Sequence, residues 1–138
     1  PSGGTSDYAS EMIHAAANSE AYTCFVRPDT RIPFMAMPDA IDAILALTNR
    51  EETGLSQHVY NVSAFNPSAA EIHELVAKAY PSAHVAFEPD TRRQAIVDSW
   101  PSAVDDRLAR IDWDYSPHYD LVTCFHDYLF PTVSEIYR

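Results

Sequence analysis

Gly3-Gly4-Thr5-Ser6-Asp7, near the start of the chain, combines residue types that can hold a small charged molecule. Glycine lets backbone approach a ligand closely. A helix beginning here would offer amide N–H groups without intrahelical partners, at the positive end of its dipole. Thr5 and Ser6 add two hydroxyls, and Asp7 places a negative charge beside them. An amino acid, being a zwitterion, needs donors for its carboxylate and an acceptor for its ammonium close together. The same string also makes an ordinary glycine turn with a capping box, and its spacing alone does not separate the two. Further along, Arg31 is suited to pair with a ligand carboxylate or with an acidic neighbour. Trp100, in Asp98-Ser99-Trp100-Pro101, suits a pocket wall, whereas Trp113 reads as a packing anchor.

Other chemistries find no residues. His14, His58, His73, His84, His118 and His126 show no metal-binding spacing, and the helical position after His73-Glu74 holds Ala77 rather than a second His. No Gly-x-Ser-x-Gly elbow, phosphate loop or Gly-x-Gly-x-x-Gly fingerprint occurs. No tyrosine is followed four residues later by lysine; after Tyr8 that position is Met12.

The elements that must carry these residues alternate between helix and strand, which predicts an α/β fold. Thr5 or Ser6 can cap a helix to about Asn18, with Met12, Ile13 and Ala16 at helical spacing. Glu20 to Val26 reads as a strand closed by Arg27-Pro28-Asp29, and Ile32 to Met37 as a short extended piece. Pro38 opens a helix to about Arg50 with an apolar stripe of Ile41, Ile44, Leu45 and Leu47. Asp39 suits the dipole of that helix, and Met35 and Met37 read as core packing. His58 to Ser63 is a candidate buried strand. A helix to about Tyr80 then starts either at Asn66-Pro67 or through a Ser68–Glu71 capping box. Ala83 to Glu88 is a further strand and Glu88 to Pro101 a long loop. Ser102 with Asp105 opens a helix to about Ile111, and Asp120 a last one that Pro131 should end or kink.

The 138 residues amount to one domain, and their 46% hydrophobic content is that of a globular chain. No apolar run reaches the ~20 residues of a membrane span, and no signal peptide opens the chain. The absent initiator Met points to a processed, tagged or truncated beginning. With 20 acidic and 9 basic residues, the net charge of −11 disfavours nucleic acid and anionic membrane as partners. Cys24 and Cys124, far apart in apolar stretches, read as buried thiols in a reducing compartment, cytoplasm or organelle matrix.

Gly3-Gly4-Thr5-Ser6-Asp7-Tyr8, Arg31-Ile32-Pro33-Phe34-Met35-Ala36-Met37-Pro38-Asp39-Ala40 and Asp98-Ser99-Trp100-Pro101 together resemble the second half of the NAD-dependent L-threonine 3-dehydrogenases. These belong to the extended short-chain dehydrogenase/reductase family, beside the nucleotide-sugar epimerases and dehydratases. The resemblance covers essentially the whole chain. It implies that residues 1–138 are one C-terminal, substrate-binding portion: part of a Rossmann-type sheet plus a small substrate domain, with the NAD-binding half absent. It further implies that Gly4, Thr5 and Asp7 hold the amino acid, with Arg31 and Trp100 closing the pocket. The catalytic Tyr and most NAD contacts would come from the other half, so this chain alone is expected to be inactive. Association with that half, or with itself, is expected, because Ile41, Ile44, Leu45 and Val62 would otherwise expose apolar faces. The family implies a cytoplasmic or mitochondrial-matrix setting. Ile32-Pro33 after Arg31, and the scarcity of cations beyond Arg92-Arg93, favour a small amino acid over a nucleotide sugar. A nucleotide-sugar epimerase half and a non-catalytic binding domain of the same fold remain the alternatives.

Overall fold

A computed structural model of the chain describes residues 4–137. Helix α1 (Tyr8–Ala17) leads to β1 (Tyr22–Cys24), then α2 (Met37–Thr48), a 3-10 turn at Glu52–Gly54, and α3 (Ala69–Ala79). Strand β2 (Val85–Phe87), α4 (Thr91–Asp98) and α5 (Arg107–Trp113) follow. The chain closes with α6 (Leu121–Thr123), a π-helical stretch Cys124–Leu129 and α7 (Phe130–Ile136). The two strands pair in parallel, Tyr22 opposite Val85 and Cys24 opposite Phe87, so the expected α/β character holds. Both strands are shorter than the sequence pattern, three residues each.

Local chemistry sets the helix boundaries. Asp7, rather than Thr5 or Ser6, holds the N-cap position of α1 without a side-chain bond to the helix amides, and the helix buries Met12, Ile13 and Ala16. The helix ends where Ser19 takes a left-handed conformation, φ 57°. Of the two expected starts for α3, the capping box forms: Ser68 Oγ accepts from Glu71 N–H, and Glu71 Oε2 accepts from Ser68 N–H.

Three expectations fail for identifiable reasons. Glu88 to Pro101 is not a loop, because Asp90 caps α4 by accepting from the N–H groups of Arg92 and Arg93. Only Gln94 and Val97 of α4 are buried, so no apolar period marks it. His58 to Ser63 forms no strand; no neighbouring strand pairs with it, and Val59 is 78% exposed. Side chains hold that segment instead, with Tyr60 Oη donating to Asp112 at 2.5 Å. The helix expected from Ser102 starts at Arg107. Of the two outcomes expected at Pro131, an end or a kink, the helix does not end there. The wide π-helical turn, in which Phe130 N–H reaches back to the Phe125 carbonyl, carries the helix through to Ile136.

The main core joins α1, β1, α3 and the C-terminal helix around Tyr8, Met12, Val26, Ile72 and Val76. A separate, smaller core gathers Ala43 of α2, Ala109 and Trp113 of α5, and Tyr115. Trp113 is 2% exposed, the packing anchor expected. Asp39, buried at the start of α2, accepts the backbone N–H groups of His118 and Tyr119 at 2.8 and 3.1 Å, a structural role. Met37 is not core: it is exposed on α2 with Ile41, Ile44 and Leu45, while Val62 is half-buried against the smaller core.

Candidate functional site

Gly4 to Asp7 form a tight turn at the mouth of α1. Gly4 N–H donates to Asp7 Oδ2 at 2.9 Å, and Asp7 N–H returns to the Gly4 carbonyl at 3.3 Å. A Cβ at position 4 would lie 2.7 Å from both Asp7 carboxylate oxygens, so glycine is what fits while Asp7 stays in place. The Gly4 amide is therefore committed within the turn, and the Asp7 carboxylate folds back over it. Thr5 is half-buried. Gly3 of the same motif lies outside the described residues.

The turn is tied to α4. Arg93 Nη2 donates to the Gly4 carbonyl at 2.8 Å, and its guanidinium carbon sits 3.0 Å above the centre of the Phe25 ring. One residue on, Gln94 is buried and links three groups: it accepts from Arg27 N–H at 2.7 Å and donates to Thr30 Oγ1 and Asp98 Oδ1. Asp98 in turn receives both ends of the Arg27 guanidinium at 2.8 and 2.9 Å. The Arg27 guanidinium, then the Gln94 amide, hold the Asp98 carboxyl below its usual value.

Beyond the end of α4, Trp100 is 39% exposed and lines a cleft of about 330 Å³ with Thr30, Arg31, Val97 and Asp98. Arg31 and Trp100 thus share one wall. Arg31 also resolves the choice left open by the sequence: it pairs with Glu71 Oε2 at 2.8 Å and donates to the Asn66 carbonyl at 2.9 Å. Thr5 and Asp7 do not line this cleft. Six residues of helix and its end lie between Arg93 and Trp100, a span of about 10 Å. The five candidates therefore form two groups, the turn and the cleft, joined by α4.

Sequence reasoning missed Arg93, Gln94 and Asp98 as parts of this arrangement. Asp90 followed by an Arg pair was the available signal for a capped helix. A second hollow, apolar and about 230 Å³, lies between α1 and the C-terminal helix, lined by Ala9, Ile13, Phe34, Met37, Phe125 and Tyr128.

Among the described residues no group of His, Cys, Asp and Glu could hold a metal ion. Cys24 and Cys124 are both free and buried, as expected, and burial raises the Cys124 thiol to about 11. No described helix is long and apolar enough to cross a membrane. The chain has three glycines and no Gly-x-Gly-x-x-Gly string.

The architecture matches the C-terminal part of solved threonine dehydrogenases. A monomeric L-threonine 3-dehydrogenase from a metagenome superposes with TM-score 0.92 at 36% identity, over 100% of this chain and 44% of that one. The enzyme from Clostridium difficile gives TM-score 0.92 at 30% identity, over 99% and 43%. By sequence, the mitochondrial L-threonine 3-dehydrogenase of Bos taurus is 39% identical over 121 residues, 88% of this chain and 32% of its own length. An uncharacterized epimerase/dehydratase of Staphylococcus haemolyticus is 39% identical over 122 residues, 88% of this chain and 38% of its own length. No protein-family model matches the sequence. The relatives of this chain are thus L-threonine 3-dehydrogenases and epimerase/dehydratase proteins, and its fold matches the C-terminal part of the solved dehydrogenases. The chain spans about a third of the length of these curated relatives.

Proposed function

We propose that the chain is the substrate-holding portion of an NAD-dependent L-threonine 3-dehydrogenase. In the complete enzyme the C3 hydroxyl of L-threonine would be oxidised to 2-amino-3-ketobutyrate, with NAD and the catalytic Tyr belonging to a separate NAD-binding half. This chain's share is positioning. The Thr5 hydroxyl bonds the substrate carboxylate or hydroxyl, and Asp7 orders the turn and adds negative charge for the ammonium. Gly4 keeps the turn close, and Arg31 with Trp100 closes the far side. The observation that carries this reading is the linkage of the Gly4–Asp7 turn and Trp100 by α4, in a chain whose relatives include threonine dehydrogenases.

The exposed face of α2, with Met37, Ile41, Ile44 and Leu45, is the surface on which the NAD-binding half would dock. The buried free thiols support a reducing compartment, cytoplasmic or mitochondrial, as the Bos taurus relative is mitochondrial. The deciding experiment compares ligands on the isolated chain by thermal melting. L-Threonine should raise the transition and a UDP-sugar should not. The reverse result would make it the corresponding part of a nucleotide-sugar epimerase or dehydratase. The isolated chain should produce no NADH from threonine, and threonine-dependent NADH production would contradict the division of labour.

A further inference from the structure

Arg93 is the one arginine among the described residues that is not exposed, and no described carboxylate lies within ion-pairing distance of it. In a chain with 20 acidic residues, a half-buried guanidinium left without an acid is costly unless other groups compensate. Here two do. The Phe25 ring face supports the cation from below, and the Gly4 carbonyl accepts from Nη2 across 89 positions of sequence. Arg93 N–H is itself fixed by the Asp90 cap at 2.8 Å, so the strut has a rigid base. Its far end holds the peptide whose N–H is already bound by Asp7. An apolar side chain could cover Phe25 without the desolvation cost, which leaves the hydrogen bond and the charge as what arginine adds.

We infer that Arg93 is a positioning residue for ligand binding. It sets the position of the Gly4–Asp7 turn, and with it the Thr5 hydroxyl, and keeps a positive charge beside that turn for an anionic group. The identity of the ligand rests on the amino-acid reading above; the hold on the turn rests on geometry alone.

Two measurements on the 138-residue chain test this, each with Arg93→Met, which covers Phe25 without donor or charge, and Arg93→Lys, which keeps both. Amide hydrogen exchange at Gly4 and Thr5, followed by NMR, should be at least about threefold faster in R93M, with R93K between it and the native chain. The dissociation constant for L-threonine should rise about tenfold in R93M, with partial recovery in R93K, while the melting transition stays in place. Unchanged exchange at Gly4 and Thr5 in R93M overturns the inference whether or not threonine binds. A native chain that ignores threonine, alongside a loosened turn in R93M, sinks the amino-acid reading and leaves the hold on the turn standing. If R93M does not fold, Arg93→Leu, which also lacks donor and charge, takes its place, and unchanged exchange at Gly4 and Thr5 in that folded variant overturns the inference.

Discussion

Tyr8 follows Asp7 directly, is fully buried, and its hydroxyl has no hydrogen-bond partner among the described residues. Its ring packs edge-on against Phe25 and Phe34, at 6.1 and 6.2 Å. Burial, and the nearby Cys24, push its pKa well up, so it stays neutral at any ordinary pH. An unmet buried hydroxyl is a cost that phenylalanine removes while keeping the ring contacts. Tyr8→Phe should therefore leave stability unchanged or raise it by about 1 kcal/mol, measured by urea denaturation. A clear loss would mean that the hydroxyl has a partner. Gly4 is the opposite case. An added methyl would displace the Asp7 carboxylate, so Gly4→Ala should weaken ligand binding by several-fold or more with the rest of the fold intact, read by threonine titration. The glycine motif was visible in the sequence, but the partners of its groups were not. Contacts such as Arg93 to Gly4 join residues too distant in the chain for any local pattern to reveal.

At the scale of elements, α1 ends on a strained position. Ser19 has φ 57°, where a Cβ is disfavoured, and it sits just past the last turn, where helices prefer glycine. Ser19→Gly should stabilise the chain by about 0.5–1 kcal/mol, seen as a higher melting temperature. The start of α3 sets an acid limit. The Ser68 amide and hydroxyl, then Arg31, hold the Glu71 carboxyl below its ordinary value. A carboxyl depressed in the folded state stabilises above its unfolded pKa, and that contribution is lost as pH falls through the folded value. Asp98, Asp112 and Asp120 are shifted the same way, and Asp105, held by Arg107, lies at about 2. Melting temperature should thus decline as pH drops below about 4, and Glu71→Gln should make that decline shallower. This helix start was legible because both capping residues lie within one turn of sequence. Helix α4 was not, because its inward side is one amide and one valine. The His58–Ser63 stretch misled because β-prone residues need a neighbouring strand, and no described strand pairs with it.

Across the whole molecule, α2 carries two stripes on opposite faces. Asp39 and Ala43 face the smaller core, while Met37, Ile41, Ile44 and Leu45 are exposed at 51–64%. The sequence suggested this exposure for Ile41, Ile44 and Leu45, which repeat at helical spacing, whereas Met37 had read as core. Replacing Ile41 and Ile44 with serine should abolish association at high concentration by light scattering, with little change in folding. Native behaviour that is already monomeric would remove the reason to treat this face as an interface.

Because the smaller core is set apart from the main one, the molecule has a natural line along which to open. Ala43, Ala109, Trp113 and Tyr115 anchor α2 and α5 with few buried contacts, so these helices should exchange their amide hydrogens well before α1 and α3. Covering the outer stripe of α2 would slow that exchange and make the two parts melt as one. In such a protein, recruitment of a partner would be felt first as quieting of the helix it touches.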